Sequence, residues 1–155
     1  MTDTDHPSAK VVFRVPNEDG LYEVETLWAY DLGDDRYKID NVPFYAYSVS
    51  LNDIVYAPLD PEDERPTFQK VLTKSGNRTV RVVFEPPVEP GNRSDEVLKG
   101  LVSLGCSQER ANSKYVAINI PSTVDLNSVR DYLIKCDAQW EHADPTYDEL
   151  FPADA

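Results

Sequence analysis

The sequence predicts an α+β protein: a small twisted β-sheet or partly closed barrel, followed by a ferredoxin-like (βαββαβ) half. Three observations carry that expectation. Residues alternate with a period of two from Leu21 to Tyr30, and short β-favouring runs broken by Gly, Pro and Asp turns continue to Gly76. Beyond that point the period changes, with apolar residues at helical spacing around Val97–Leu104 and Leu126–Cys136.

The elements follow in order. Val11–Val15 reads as a strand stopped by Pro16, and Asn17-Glu18-Asp19-Gly20 as a turn. In the next strand Tyr22, Val24, Thr26, Trp28 and Tyr30 share one face, while Glu23 and Glu25 take the other. Asp31-Leu32-Gly33-Asp34-Asp35 turns the chain, and Arg36–Asp40 returns as a hairpin partner. Phe44, Tyr45, Tyr47 and Val49 form an aromatic, β-favouring run that reads as another strand. Asp53–Ala57 gives a further strand, and an acidic loop over Asp60–Pro66 leads to Phe68, Lys70 and Leu72 on alternate positions.

In the second half Thr79–Phe84 is a strand, broken by Pro86, Pro87 and Pro90. Asn92 or Ser94 caps a helix whose stripe is Val97, Leu98, Leu101, Val102 and Leu104, stopped by Gly105. A short piece at Cys106–Arg110 and a strand over Lys114–Ile120 follow. Asp125 caps the second helix, and Ala138–His142 is the last strand. The order β-α-β-β-α-β is that of an antiparallel sheet with two helices on one face. The expected organisation is a disordered terminus over 1–9, a β-rich domain over 10–76, a ferredoxin-like domain over 77–143 and an acidic tail over 144–155.

Charge is the strongest compositional signal. The 155 residues carry 28 Asp+Glu against 15 Lys+Arg, a net −13, which exceeds the magnitude of about 2–8 that keeps a small domain soluble. So acidic a chain repels nucleic acid and anionic membrane and attracts basic proteins. With no apolar run of about 18 residues and a polar start without a secretion-signal layout, no membrane partner is expected and the expected location is cytoplasmic. Cys106 and Cys136 are too few for a disulfide framework.

Several separated stretches carry a resemblance: Val12–Pro16, Val24–Ala29, Asp40–Tyr47, Val49–Val55 and Leu104-Gly105-Cys106. They resemble an uncharacterised bacterial family catalogued as domain of unknown function 4265. The resemblance implies a small bacterial soluble protein in two parts, and it brings no catalytic residues.

Reaction chemistry is not legible. His6 lies near the start, and His142 has only Glu141 and Asp144 beside it, with no second His or Cys pair at metal spacing. Cys106 and Cys136 fall in the expected packed layer, phosphate-binding glycine loops are absent, and the strands of the second half lack a basic surround for RNA. No cofactor, metal or nucleic acid is expected, and no enzyme. The expectation is an acidic binding protein, in its most concrete form an immunity protein that neutralises a cognate toxin by occupying its basic surface. Asp31, Asp34, Asp35, Asp60, Glu62, Asp63 and Glu64 would supply the field, with Tyr30, Tyr45 and Tyr47 as desolvated anchors. A small-molecule-sensing or regulatory domain, or an enzyme of unrecognised chemistry, are the alternatives. The oligomeric state is unknown from sequence.

Overall fold

Two antiparallel sheets organise the chain in the computed structural model, which describes residues 7–153. The first begins with the hairpin β1 (Ala9–Pro16) and β2 (Tyr22–Gly33), whose turn is held by Asn17 Oδ1, acceptor of the Asp19 and Leu21 N–H groups at 3.1 Å each. β3 (Arg36–Ile39) and β4 (Ile54–Tyr56) follow, then a two-stranded hairpin of β5 (Leu59–Asp60) and β6 (Arg65–Pro66), then β7 (Lys70–Thr73). The five-stranded order is β1-β2-β3-β4-β7. It does not close into a barrel. Its first strand approaches the entry to β7 through an isolated bridge of Val12 with Thr67, beside which the Phe68 N–H donates to the Val12 carbonyl at 2.8 Å.

The second sheet comprises β8 (Arg78–Val83), β9 (Ser107–Arg110), β10 (Tyr115–Ile120) and β11 (Gln139–Asp144), in the order β11-β8-β10-β9 with every neighbouring pair antiparallel. Between them run α1 (Arg93–Ser103) and α2 (Leu126–Lys135), and α3 (Tyr147–Leu150) closes the chain. The fold is thus mixed α+β, with three short helices among the described residues. Asn92 caps α1 by accepting the Asp95 N–H, and Asp125 caps α2 by accepting that of Asn127. Gly105 follows α1 at φ +108°, and a Cβ there would stand 2.8 Å from Val124 Cγ2.

Two cores result. Val80, Val82, Val116, Ile118 and Ile120 face the helices and pack with Leu98, Leu101, Val129 and Leu133. Inside the first sheet Val11, Phe13, Leu27, Tyr37, Ile39 and Val55 pack together, with Phe13 and Phe68 stacked at 4.7 Å. The β2 alternation is real, but its aromatic face is the outer one. Leu27 and Ala29 turn inward with Glu25, while Tyr22, Val24 and Trp28 are exposed.

Three expectations are corrected. The run Phe44–Val49 is not a strand but part of the loop from Asp40 to Asp53. Its N–H groups at 44, 45 and 46 bond to the Glu25 carboxylate rather than to a neighbouring strand, so no ladder forms. Ala9 already belongs to β1, inside the range expected to be disordered, and residues 1–6 of that range, with His6, lie outside the described residues. Asp144 ends β11, and Thr146 with Glu149 forms a capping box on α3, so the acidic end carries structure.

Candidate functional site

The acidic residues singled out above occupy two turns. Gly33 and Arg36 pair across the end of the β2–β3 hairpin, leaving Asp34 and Asp35 as its tip, at φ 58° and 61°. Positive φ at both central positions matches the right-handed twist of the flanking strands. Asp31 Oδ1 accepts the Gly33 N–H at 2.9 Å, and Arg36 holds the turn from the other side through the carbonyls of Gly33 and Leu32 at 3.2 and 3.1 Å. Asp31, Asp34 and Asp35 are all exposed.

The second turn joins β5 to β6. Asp60 Oδ1 accepts the N–H groups of Glu62 at 2.8 Å and Asp63 at 3.4 Å. Arg14 Nη2 reaches from β1 to Asp60 Oδ2 at 2.9 Å and Asp63 Oδ2 at 2.5 Å. The Glu62 N–H, then Arg14, hold the Asp60 carboxyl below the usual carboxylate range. Glu62 and Glu64 point to solvent. The Ala57 N–H, in the segment between β4 and β5 that leads to the second turn, donates to the Asp35 carbonyl at 2.8 Å. Leu32 and Leu59, both exposed, lie between the carboxylates in sequence.

The tyrosines are distributed differently. Tyr30 lies on the outer face of β2 with the Lys38 ammonium 5.9 Å from its ring centroid. Tyr45 and Tyr47, each 47% exposed, are engaged between the two sheets. Tyr45 stacks on Tyr115 at 5.8 Å. Tyr47 lies under the Arg81 guanidinium at 4.9 Å and donates its hydroxyl to Glu141 Oε2 at 2.9 Å. Burial first, then Glu141, pushes the Tyr47 hydroxyl pKa up.

This seam is the feature that sequence reasoning missed. Glu141, Arg81, Ala117 and Glu109 form one row across the second sheet, on the face away from the helices. The loop from Asn41 to Tyr47 lies on that row. Arg81, 1% exposed, donates Nε to the Pro43 carbonyl at 3.2 Å, Nη2 to the Ala46 carbonyl and Nη1 to Glu141 Oε1 at 3.3 Å. Glu109 accepts from Asn41 Nδ2 at 3.0 Å and from the Val42 N–H, and its burial raises its pKa. Tyr115 donates to the Phe44 carbonyl and its hydroxyl is pushed up to about 12 by burial. A second clasp joins the sheets where Lys74 Nζ contacts Asp53 Oδ2 at 2.7 Å and Asp144 Oδ2 at 2.6 Å, beside Ser50 and Thr79. One signal was available: Arg81 stands alone in an otherwise apolar β8 core run.

The remaining chemistry does not converge. Glu141 turns to the seam, while His142 packs on Trp140 at 4.6 Å near Tyr147 and Phe151. Among the described residues no cluster of three or more metal-ligating side chains occurs. Burial lifts the Cys106 thiol to about 11, which leaves it an unreactive thiol at neutral pH. A cavity of about 240 Å³ beside the start of α1 is walled by Val83, Phe84, Val97 and Ala138, with Arg93 and Asp137 also lining it.

The model of the family described as Domain of unknown function (DUF4265) matches residues 25–143. The chain belongs to that family. The matched stretch runs from Glu25, which holds the seam loop, to the end of β11, so it spans both sheets. A solved structure, a hypothetical protein from Neisseria gonorrhoeae, is similar over 92% of this chain and 98% of its own, at 20% identity and a TM-score of 0.75. That likeness concerns the fold. No curated protein matches the chain. No helix among the described residues is long and apolar enough to cross a membrane.

Proposed function

We propose that the chain is a non-enzymatic binding protein that meets a basic protein surface with the acidic end of its first sheet. The observation that carries this is the Ala57–Asp35 backbone bond, which holds the Asp31–Asp35 turn beside the segment leading into Asp60–Glu64. The combined surface offers exposed carboxylates and two exposed leucines, Leu32 and Leu59, as apolar contacts. Asp60 and Asp63 are partly neutralised by Arg14, so Asp31, Asp34, Asp35, Glu62 and Glu64 supply most of the field. Leu32 and Leu59 replace Tyr45 and Tyr47 as anchors, because those rings are engaged in the seam.

In its most concrete form this is a cytoplasmic bacterial immunity protein that occupies the cationic cleft of a toxin acting on an anionic substrate. Complementary charge speeds such an encounter and is screened over about 8–10 Å at physiological salt. The strand order β11-β8-β10-β9, with α1 and α2 as its connections, supports reading the second half as ferredoxin-like.

The test is affinity capture from a bacterial lysate at low and at physiological salt, comparing the protein with Asp31→Asn/Asp34→Asn/Asp35→Asn. Retained partners are expected to be basic, to fall away with salt and to be lost in the variant. A retained set unchanged by salt and by the three substitutions sinks the reading.

A further inference from the structure

The outer face of the first sheet reverses the charge of the whole chain. Its outward strand positions include Lys10 and Arg14 on β1, Tyr22, Val24, Thr26, Trp28 and Tyr30 on β2, Arg36 and Lys38 on β3, Ile54 and Tyr56 on β4, and Lys70 and Leu72 on β7. No carboxylate stands at any of them. Five of the seven basic residues in the first 77 are gathered here, in a chain of net −13.

Cations and rings interleave across the strands. Lys10 lies over Trp28 at 4.6 Å and Arg14 over Tyr22 at 5.6 Å. Lys38 lies over Tyr30, and Lys70 over Tyr56 at 5.7 Å. Cross-strand register extends the pattern, because Arg36, Tyr56 and Lys70 stand directly opposite one another in a row. A cation held over a ring keeps its charge while its side chain is ordered. Of these cations, only Arg14 has a carboxylate within 4.0 Å among the described residues.

We propose that this face is a second docking surface, whose occupant is an acidic protein segment bearing apolar side chains. Charge complementarity selects an anionic partner. The aliphatic content selects protein over single-stranded nucleic acid. Val24 is 58% exposed, and Leu72 is also exposed; neither of these stacks on a base. Trp, Tyr and Arg together are the residues that dominate protein interfaces. The seven basic residues of the first half are thus divided by face, and screening keeps the acidic turns from cancelling this field at more than about 8–10 Å. Arg14 is shared with the acidic end through Asp60 and Asp63, whereas Lys10, Lys38 and Lys70 are not, so the surface stands whether or not that end binds a basic partner.

The chain has two tryptophans, Trp28 on this face and Trp140 in the other half, so two indole N–H signals report on the two places. The probes are a short peptide mixing glutamate with leucine and phenylalanine, its lysine-for-glutamate counterpart, and oligo-dT of equal length. Titration into ¹⁵N-labelled protein, with Trp28→Phe for assignment, is expected to show the glutamate peptide shifting the Trp28 indole and leaving that of Trp140. The surface variant Lys10→Gln/Lys38→Gln/Lys70→Gln is expected to weaken that binding about ten-fold. Three results overturn the proposal: oligo-dT moving the Trp28 signal more strongly than the peptide, equal effects of the lysine and glutamate peptides, or no movement of the Trp28 signal with the glutamate peptide.

Discussion

The Arg81 guanidinium lies 4.9 Å from the centroid of the Tyr47 ring, and both groups bond to the same carboxylate, Glu141. Arg81 comes from the middle of β8 and Tyr47 from a loop of the first half, so this contact joins the two sheets.

Removing Arg81 should be costly. Arg81→Met leaves the carbonyls of Pro43 and Ala46 without their donor and is expected to destabilise by about 3–5 kcal/mol. Glu141→Gln should cost under about 1 kcal/mol, because Glu141 is 44% exposed. Urea unfolding of the two variants measures the contrast, and equal losses would place the seam energy elsewhere.

Glu25 is 7% exposed and accepts from Phe44, Tyr45 and Ala46 at 2.6, 3.2 and 2.9 Å. Glu25→Ala strands three amides and is expected to cost about 2–3 kcal/mol. Amide hydrogen exchange should accelerate first at residues 44–46. Unchanged protection there would show that Arg81, Glu109 and Tyr115 hold the loop without Glu25.

Burial first, then Arg130, lowers the pKa of His142. The unfolded chain therefore takes up a proton on this side chain before the folded one does. Stability from the neutral imidazole is complete above the unfolded value of about 6.5 and declines as pH falls below it. His142→Phe should flatten the melting temperature between pH 7 and about pH 5 relative to the parent. Parallel profiles for the two proteins would contradict this assignment.

Asp34 and Asp35 both adopt positive φ, a conformation that Asn-Gly takes with less strain. Asp34→Asn/Asp35→Gly is expected to raise stability by about 0.5–1 kcal/mol in urea unfolding. The same change should weaken capture of a basic partner, since two of the exposed carboxylates are gone.

A Cβ at Gly100 on α1 would fall 1.8 Å from the Tyr132 hydroxyl, which donates to the Val97 carbonyl at 3.0 Å. Gly100→Ala should therefore destabilise by about 1–3 kcal/mol. Adding Tyr132→Leu, which removes the hydroxyl and the far edge of the ring, should recover part of the loss. Strict additivity in the double-variant cycle would mean that the two positions do not touch.

Local chemistry made much of this fold readable in the sequence. The caps at Asn92 and Asp125, the Asp31–Asp35 turn and the alternation of β2 are decided by neighbours in the chain. What escaped reading depends on contacts distant in sequence. Periodicity groups Tyr22, Val24 and Trp28 on one face, but only the packing of Leu27 and Ala29 makes that face external. The β-favouring run from Phe44 is overridden by a carboxylate at Glu25, nineteen positions away. In the candidate site the acidic turns were legible as turns, whereas the role of Tyr45 and Tyr47 was set by Tyr115 and Arg81, which no local pattern connects to them.

Because Arg81 finds its oxygens in Pro43 and Ala46, and Lys74 one of its two carboxylates in Asp144, each half completes the polar interior of the other. Severing the polypeptide near Gly76 would strip both pieces of these partners at once. Calorimetry should accordingly record one cooperative melting event for the intact chain, and the excised pieces should regain native character only when mixed together.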